Sequence, residues 1–319
     1  EDEDSIEEED VLITLSNKGY IKRLAQDEFH AQRRGGRGVQ GTGVNDDDFV
    51  RELVSTNTHD HVYFMTNKGR VYRLKGYEIP EFSRQSKGIP IVNLLQVEKD
   101  ERVNAVIQIS REENSKYLLF ATEAGVVKKT LISEFDNIRN SGKICISLRE
   151  NDKLIGVKKT TGNDLVLLGS DSGRMVKFNE DEIRVMGRTA SGVRGISLDG
   201  SKCICSEIVK EEDTILLVTE KGYGKQTKVS EYRQTRRGSK GVKAMNITEK
   251  NGNLVSVKIV HEGKELVIMT NSGMTMRMPL DQISVLGRVT QGLRLINLKD
   301  NQKVSTISLV DKPEEETSE

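Results

Sequence analysis

Short, almost wholly apolar runs recur along the chain. Each is followed by a polar turn ending in glycine and then by a run in which apolar and polar positions alternate. Six such segments read VLITLSNKGYIKRL, VYFMTNKGRVYRL, YLLFATEAGVVKKTL, LVLLGSDSGRMVKF, ILLVTEKGYGKQTKV and LVIMTNSGMTMRM. Alternation with period two predicts strands, and a Gly-terminated polar turn between two strands predicts a hairpin, because glycine takes positive φ without steric cost. The turn glycines are Gly19, Gly69, Gly125, Gly173, Gly222 and Gly273, spaced by 50, 56, 48, 49 and 51 residues. Nowhere does a helical period emerge.

The register extends beyond the hairpin. Nineteen residues after the turn glycine stands a second one, Gly38, Gly88, Gly192, Gly241 and Gly292, with Gly142 two residues early in repeat three. Four residues before it comes Arg34, Arg84, Arg188, Arg237 or Arg288, with Arg139 near the equivalent place. Six residues after it an apolar position recurs as Val44, Leu94, Leu148, Leu198, Ile247 and Leu298. Each unit therefore predicts a hairpin, a basic Gly-containing loop, a third strand, a polar turn and a fourth strand. The fourth strands are FVRELV, RVNAVIQI, KLIGVKK, KCICSEIV, LVSVKIV and KVSTISLV. Six units of about 50 residues and four strands predict an all-β, six-bladed, propeller-like array. The expected blades are 11–58, 59–110, 111–162, 163–213, 214–264 and 265–310, between an acidic leading segment (1–10) and an acidic tail (311–319).

Composition sharpens this only when divided. The 319 residues carry 49 basic and 49 acidic side chains. Residues 1–10 hold eight acids and residues 311–319 five acids and one base, so 48 bases face 36 acids between them. No apolar stretch approaches the roughly 18 residues of a membrane span, and the acidic start is unlike a signal peptide. Cys145, Cys203 and Cys205 are too few and wrongly spaced for a disulfide framework or a Cys-x-x-Cys metal site. They read as core thiols in a reducing, cytoplasmic setting.

The basic residues follow the repeat. Four residues after the turn glycine come Arg23, Arg73, Lys129, Lys177 and Arg277, and repeat five has Gln226 with Lys225 beside it. The loop before the third strand adds Arg33, Arg34 and Arg37; Arg84 and Lys87; Arg139 and Lys143; Arg188 and Arg194; Arg233, Arg236, Arg237, Lys240 and Lys243; and Arg288 and Arg294. In a radial array equivalent positions form a ring, so this pattern predicts a positive band around the rim. Such a band suits a curved polyanion: each DNA phosphate neutralised releases counterions and adds affinity without reading sequence. Scarce aromatics disfavour single-strand stacking. Duplex DNA is the expected partner, and the acidic tail (Glu314, Glu315, Glu316, Glu319) its expected competitor.

The densest loop is Gln32-Arg33-Arg34-Gly35-Gly36-Arg37-Gly38. Glycine lets the backbone approach a phosphate, and arginine offers paired, permanently charged donors. A degraded copy, Gln234 to Gly241, occupies the same place in repeat five. Here the chain resembles the C-terminal domain of the DNA gyrase A protein, whose hallmark, the gyrase A box, is Gln-Arg-Arg-Gly-Gly-Lys/Arg-Gly. Residues 32–38 match it throughout and lie, as in the family, in the first blade's loop. The resemblance implies a β-pinwheel with strand exchange between blades and duplex DNA wrapped around its outer edge. It further implies negative supercoiling by an A2B2 assembly with the gyrase B protein, with ATP and Mg2+ used elsewhere in that enzyme. No cofactor, metal or catalytic residue is expected in this chain.

Other readings fit less well. Gly36 to Gly41 formally matches a dinucleotide fingerprint but lacks the strand and helix that motif needs. His59-Asp60-His61 has no third ligand nearby in sequence. The corresponding domain of topoisomerase IV typically lacks an intact box. Protein-binding propellers carry signatures absent from a chain without Trp.

Overall fold

In five of the six hairpins a Ser or Thr three residues before the turn glycine holds the turn from both sides; in the second, the Thr66 carbonyl accepts from the Gly69 amide but the side chain turns its hydroxyl to Glu101. The Gly19 amide donates to the Ser16 carbonyl, and the Tyr20 amide to the Ser16 hydroxyl. Thr122, Ser170, Thr219 and Thr270 repeat the hydroxyl contact. The structure, a computed structural model, describes residues 3–25, 48–138 and 142–312. The box at 32–38, Arg139 and the tail glutamates therefore lie outside the described residues.

Six antiparallel sheets result. The first repeat supplies β1 (Asp10–Ser16), β2 (Tyr20–Ala25) and β3 (Val50–Asn57). The second supplies β4 (His61–Thr66), β5 (Arg70–Lys75), β6 (Ile89–Pro90) and β7 (Val103–Ile109), and the third β8 (Tyr117–Thr122), β9 (Val126–Leu131), β10 (Lys143–Ile144) and β11 (Leu154–Thr160). From the fourth come β12 (Leu165–Ser170), β13 (Arg174–Asn179), β14 (Val193–Arg194) and β15 (Cys203–Val209). The fifth holds β16 (Thr214–Thr219), β17 (Tyr223–Lys228), β18 (Val242–Lys243) and β19 (Leu254–Ile259), and the sixth β20 (Lys264–Thr270), β21 (Thr275–Pro279), β22 (Leu293–Arg294) and β23 (Val304–Asp311).

Sheet and repeat do not coincide. The orders are β3-β1-β2-β6, β10-β5-β4-β7, β11-β8-β9-β14, β15-β12-β13-β18, β19-β16-β17-β22 and β21-β20-β23. The two-residue third strand of repeats two to six thus crosses to the outer edge of the preceding blade, so each repeat lends one strand to its neighbour. In the sixth sheet three strands are described. The family's strand exchange is therefore present in five blades.

The second recurring offset, at nineteen residues, now has a cause. Gly192 and Gly241 take φ of +95° and +70°, and a Cβ there would lie 2.4 Å from the Val127 carbonyl oxygen and 2.0 Å from that of Met175. Only glycine lets the loop close on the neighbouring blade's second strand.

Innermost are the fourth strands β3, β7, β11, β15, β19 and β23. Each touches the next, and β23 touches β3, so the ring closes. Strands β3, β7, β11, β15 and β19 line an axial cavity of about 230 Å3 bordered by Glu52, Lys158, Glu207 and Lys258. The core lies between blades rather than within them. Phe64 and Tyr72 pack with Ile13 and Leu15 of blade one, Phe120 and Phe135 with Tyr63 of blade two, and Val267, Met269 and Val310 with Phe49 across the closure. Cys145, Cys203 and Cys205 are buried, as their pattern suggests, and burial drives all three thiols well above their ordinary pKa. The acidic leading segment packs onto blades one and two. Thr58 donates to the Glu7 carbonyl, and Glu3 and Glu9 lie 3.2 and 3.8 Å from Lys75 and Arg23.

Candidate nucleic-acid interface

The bases four residues after the turn glycine face inward, toward the next blade, which corrects the expected band at that register. Lys129, Lys177 and Lys225 are at most 4% exposed. The Lys129 ammonium donates to the Glu180 carbonyl at 3.0 Å, and that of Lys177 to the Val229 carbonyl at 3.3 Å and to Glu211 at 2.8 Å. Arg23, half-buried, donates to the Ile79 carbonyl at 2.8 Å, and Arg73 to the Asp136 carbonyl at 2.5 Å. Arg277 pairs with Glu265 at 2.8 Å. Gln226, which carries no charge, donates to the Leu280 and Ile283 carbonyls at 2.9 and 3.0 Å. Apart from Glu211 and the Arg277 pair, the acceptors belong to, or adjoin, the short 3-10 turns Gly76–Glu78, Ile132–Phe135, Glu180–Glu182, Val229–Glu231 and Leu280–Gln282 of the following repeat. The constant requirement is a long donor that satisfies orphaned carbonyls, and cations meet it most often.

One residue earlier lies a set that sequence reading largely missed. Lys22, Lys128 and Lys225 follow the turn glycines of repeats one, three and five by three residues and are at most 1% exposed. Lys22 donates to the Ser83, Arg84 and Ser86 carbonyls at 3.3, 2.7 and 2.6 Å. Lys128 reaches the Cys145, Gly187 and Arg188 carbonyls, and Lys225 those of Gly287, Arg288 and Thr290 at 2.9, 2.8 and 2.9 Å. Burial lowers the pKa of Lys128 and Lys225 to about 8. The signal was present as a lysine at a fixed offset in alternate repeats.

The loop arginines are latched as well. Arg188 donates to the Ile144 carbonyl, Arg237 to that of Arg194 at 2.7 Å, and Arg288 to that of Lys243. Their own amides donate to Glu134, Glu182 and Glu231 at 3.2, 3.1 and 3.2 Å. Acids therefore stand beside the basic loops. Each guanidinium has five N–H donors, so a latched arginine that remains half-exposed keeps donors for a ligand.

What faces solvent is a subset. Lys87, Lys143, Arg194, Arg233, Arg236, Lys240, Lys243 and Arg294 are exposed, and Arg84, Arg188, Arg237 and Arg288 are half-exposed. They sit on the outermost strands β10, β14, β18 and β22 or in the loops entering outer strands, so among the described residues they follow the rim of five blades. Lys87 lies 4.6 Å from the Tyr20 ring centre, and Arg294 stacks on Tyr223 at 5.4 Å. Lys240 pairs with Asp199 at 2.8 Å between two exposed side chains, a contact of little strength in water. Exposed Val92, Val285, Val289 and Leu293 lie among these cations. Among the described residues no group of three His, Cys, Asp or Glu could hold a metal, and no helix is long and apolar enough to cross a membrane.

This fold recurs in known proteins. The family model for the DNA gyrase C-terminal domain, a beta-propeller, matches residues 10–57, 60–110, 116–161, 164–204, 213–261 and 264–311. The chain belongs to that family. The DNA gyrase A protein of Staphylococcus epidermidis (strain ATCC 12228 / FDA PCI 1200) is 48% identical over 319 residues, covering 99% of this chain. The Staphylococcus aureus (strain NCTC 8325 / PS 47) protein of the same name is 48% identical over 324 residues, covering 100% of it. The chain spans only 36% of either relative. Among solved structures, a DNA gyrase A C-terminal domain superposes with TM-score 0.71 at 26% identity, covering 94% of this chain and 99% of that one. The C-terminal domain of DNA topoisomerase IV superposes with TM-score 0.83 at 24% identity, covering 96% and 94%, which speaks for a common fold.

Proposed function

We propose that this domain binds duplex DNA along its outer edge and curves it, and so gives a gyrase its directional, ATP-dependent negative supercoiling. The observation that carries this reading is the recurrence of exposed Lys and Arg on the exchanged outer strands and their entering loops, blade after blade. Bending 20–30 bp by 40–90° costs on the order of 1–6 kcal/mol. A series of weak phosphate contacts distributed along a curve can offset that cost, where a single tight site cannot follow the curve. The domain is a mechanical part and performs no bond chemistry. Its partners are the rest of the gyrase A protein and the gyrase B protein, and ATP and Mg2+ belong to those parts.

Box residues Gln32, Arg33, Arg34, Gly35, Gly36, Arg37 and Gly38 belong, in this reading, to the same DNA-binding set, on the density of their arginines and glycines. The topoisomerase IV reading shares the fold, but the intact box and the 48% identity to gyrase A favour gyrase.

The test is the linking-number shift the domain imposes on relaxed plasmid in the presence of topoisomerase I, with FRET between the ends of a labelled duplex. We expect a shift of one sign and approach of the ends at low salt. We also expect loss of the shift when Arg33, Arg34 and Arg37 are together replaced by Ala. No approach of the ends and no shift for the unmodified domain would overturn the reading.

A further inference from the structure

We propose that Lys22, Lys128 and Lys225 are positioning residues for the DNA interface. Each buried ammonium gathers the carbonyls of one rim loop beneath the blade and thereby fixes where that loop's cations stand. The role rests on the DNA-wrapping reading given above.

The chemistry is specific to an ammonium. Lysine carries three donors and no acceptor, and a buried charge is tolerated only when its donors are met. Lys22 and Lys225 each meet three carbonyls of a single loop of the following repeat. Lys128 meets two from the equivalent loop, Gly187 and Arg188, and a third from Cys145. The caged loops are those that present Arg84 with Lys87, Arg188 with Arg194, and Arg288 with Arg294. A peptide whose carbonyl points inward directs the following N–H outward, so gathering carbonyls also turns the loop's amides toward the rim surface. A cation buried within the fold thus shapes a surface outside it.

The alternate blades are an internal control. At the same register blades two, four and six carry Tyr72, Val176 and Met276. Tyr72 uses its ring instead: a Cβ on Gly142 would lie 2.7 Å from it. Val176 offers no donor to the loop of repeat five. Four of the loops share one turn. The amides of Ser86, Ala190, Thr290 and Ser239 donate to Ser83, Gly187, Gly287 and Arg236 at 3.1, 3.1, 3.3 and 3.2 Å. In the first three the same carbonyl also accepts from the lysine; in the fourth the register supplies Val176 in its place.

Two measurements decide the matter. In the unmodified domain, free of DNA, the amides of Ser86, Ala190 and Thr290 are expected to exchange with solvent at least about tenfold more slowly than that of Ser239, because the caged turns open less often. Equal exchange at all four would overturn the proposal, and needs no variant. Lys128→Met and Lys225→Met, studied well below their unfolding midpoints, are expected to bind duplex DNA with a shallower dependence on salt. The log–log slope should flatten by about 0.9 for each phosphate no longer neutralised, although no rim charge has been removed. Val176→Ala, at the same register without an ammonium, is expected to lower the midpoint and keep the slope. Folded Lys→Met variants with an unchanged slope would overturn the positioning role. Absence of salt-dependent binding in the unmodified domain would overturn the DNA reading itself, while slow exchange at the caged turns would mark that failure as distinct.

Discussion

Lys177 and Arg236 carry the same charge and sit in the same repeat pattern, yet replacing them has opposite expected consequences. Lys177 is 3% exposed with its ammonium on the Val229 carbonyl and Glu211. Lys177→Met leaves a buried acceptor unpaired, which costs about 1–3 kcal/mol, and thermal unfolding should show that loss while the salt slope of DNA binding stays as it was. Arg233→Ala with Arg236→Ala removes two exposed groups, so stability should stay within about 0.5 kcal/mol per site. DNA affinity should fall and its salt slope flatten by up to about 0.9 for each phosphate those arginines neutralise. A slope change for Lys177→Met, or none for the arginine pair, would contradict this division. The sequence made the recurrence and the sign of these residues legible but not their direction. A donor seeking a carbonyl and a donor seeking a phosphate are the same side chain in a one-dimensional string. Gln226 held the clue: the register tolerates loss of charge but not loss of a donor.

At the scale of strands and loops, the long hairpins were legible because alternation and the Ser/Thr-x-x-Gly turn are local. The exchanged strands were not. Two residues such as Val193 and Arg194 are too short to show a period, and they pair with Val127 and Val126, in the hairpin of the preceding repeat. Only the glycine before them left a trace, and its meaning became clear with the neighbouring carbonyl in place. Gly241→Ala should therefore be among the most harmful single-methyl additions in the chain. It combines a φ of +70° with a Cβ 2.0 Å from the Met175 oxygen, and relief requires the exchanged strand to lift off. We expect a cost of at least about 2 kcal/mol, seen in denaturant unfolding, whereas Gly263→Ala, with nothing within 4 Å of the added carbon, should cost only the strain of its own φ of +76°.

Across the whole molecule, cohesion comes from six interfaces between blades, and the closure between the first and sixth is built on Phe49, Val267, Met269 and Val310. Ser308 adds a hydrogen bond to the Val50 carbonyl at 3.0 Å. Phe49→Ala should cost about 3–5 kcal/mol, and hydrogen exchange in β3 and β23 should rise ahead of that in the strands opposite. Uniform exchange around the ring would mean that the closure is no weaker than the rest. Whether the ring closes was illegible in the sequence, because nothing in a repeat says how far each copy rotates from the last. The strand exchange also determines where a pull on the rim is felt. A loop tugged outward is tied covalently to its own blade and by its outer strand to the blade before. Tension applied at one point therefore divides between two neighbours and passes along the circumference, as it does through the overlapping staves of a hooped cask. A bent polymer straining to straighten would load the ring along its hoop rather than peel any one blade away.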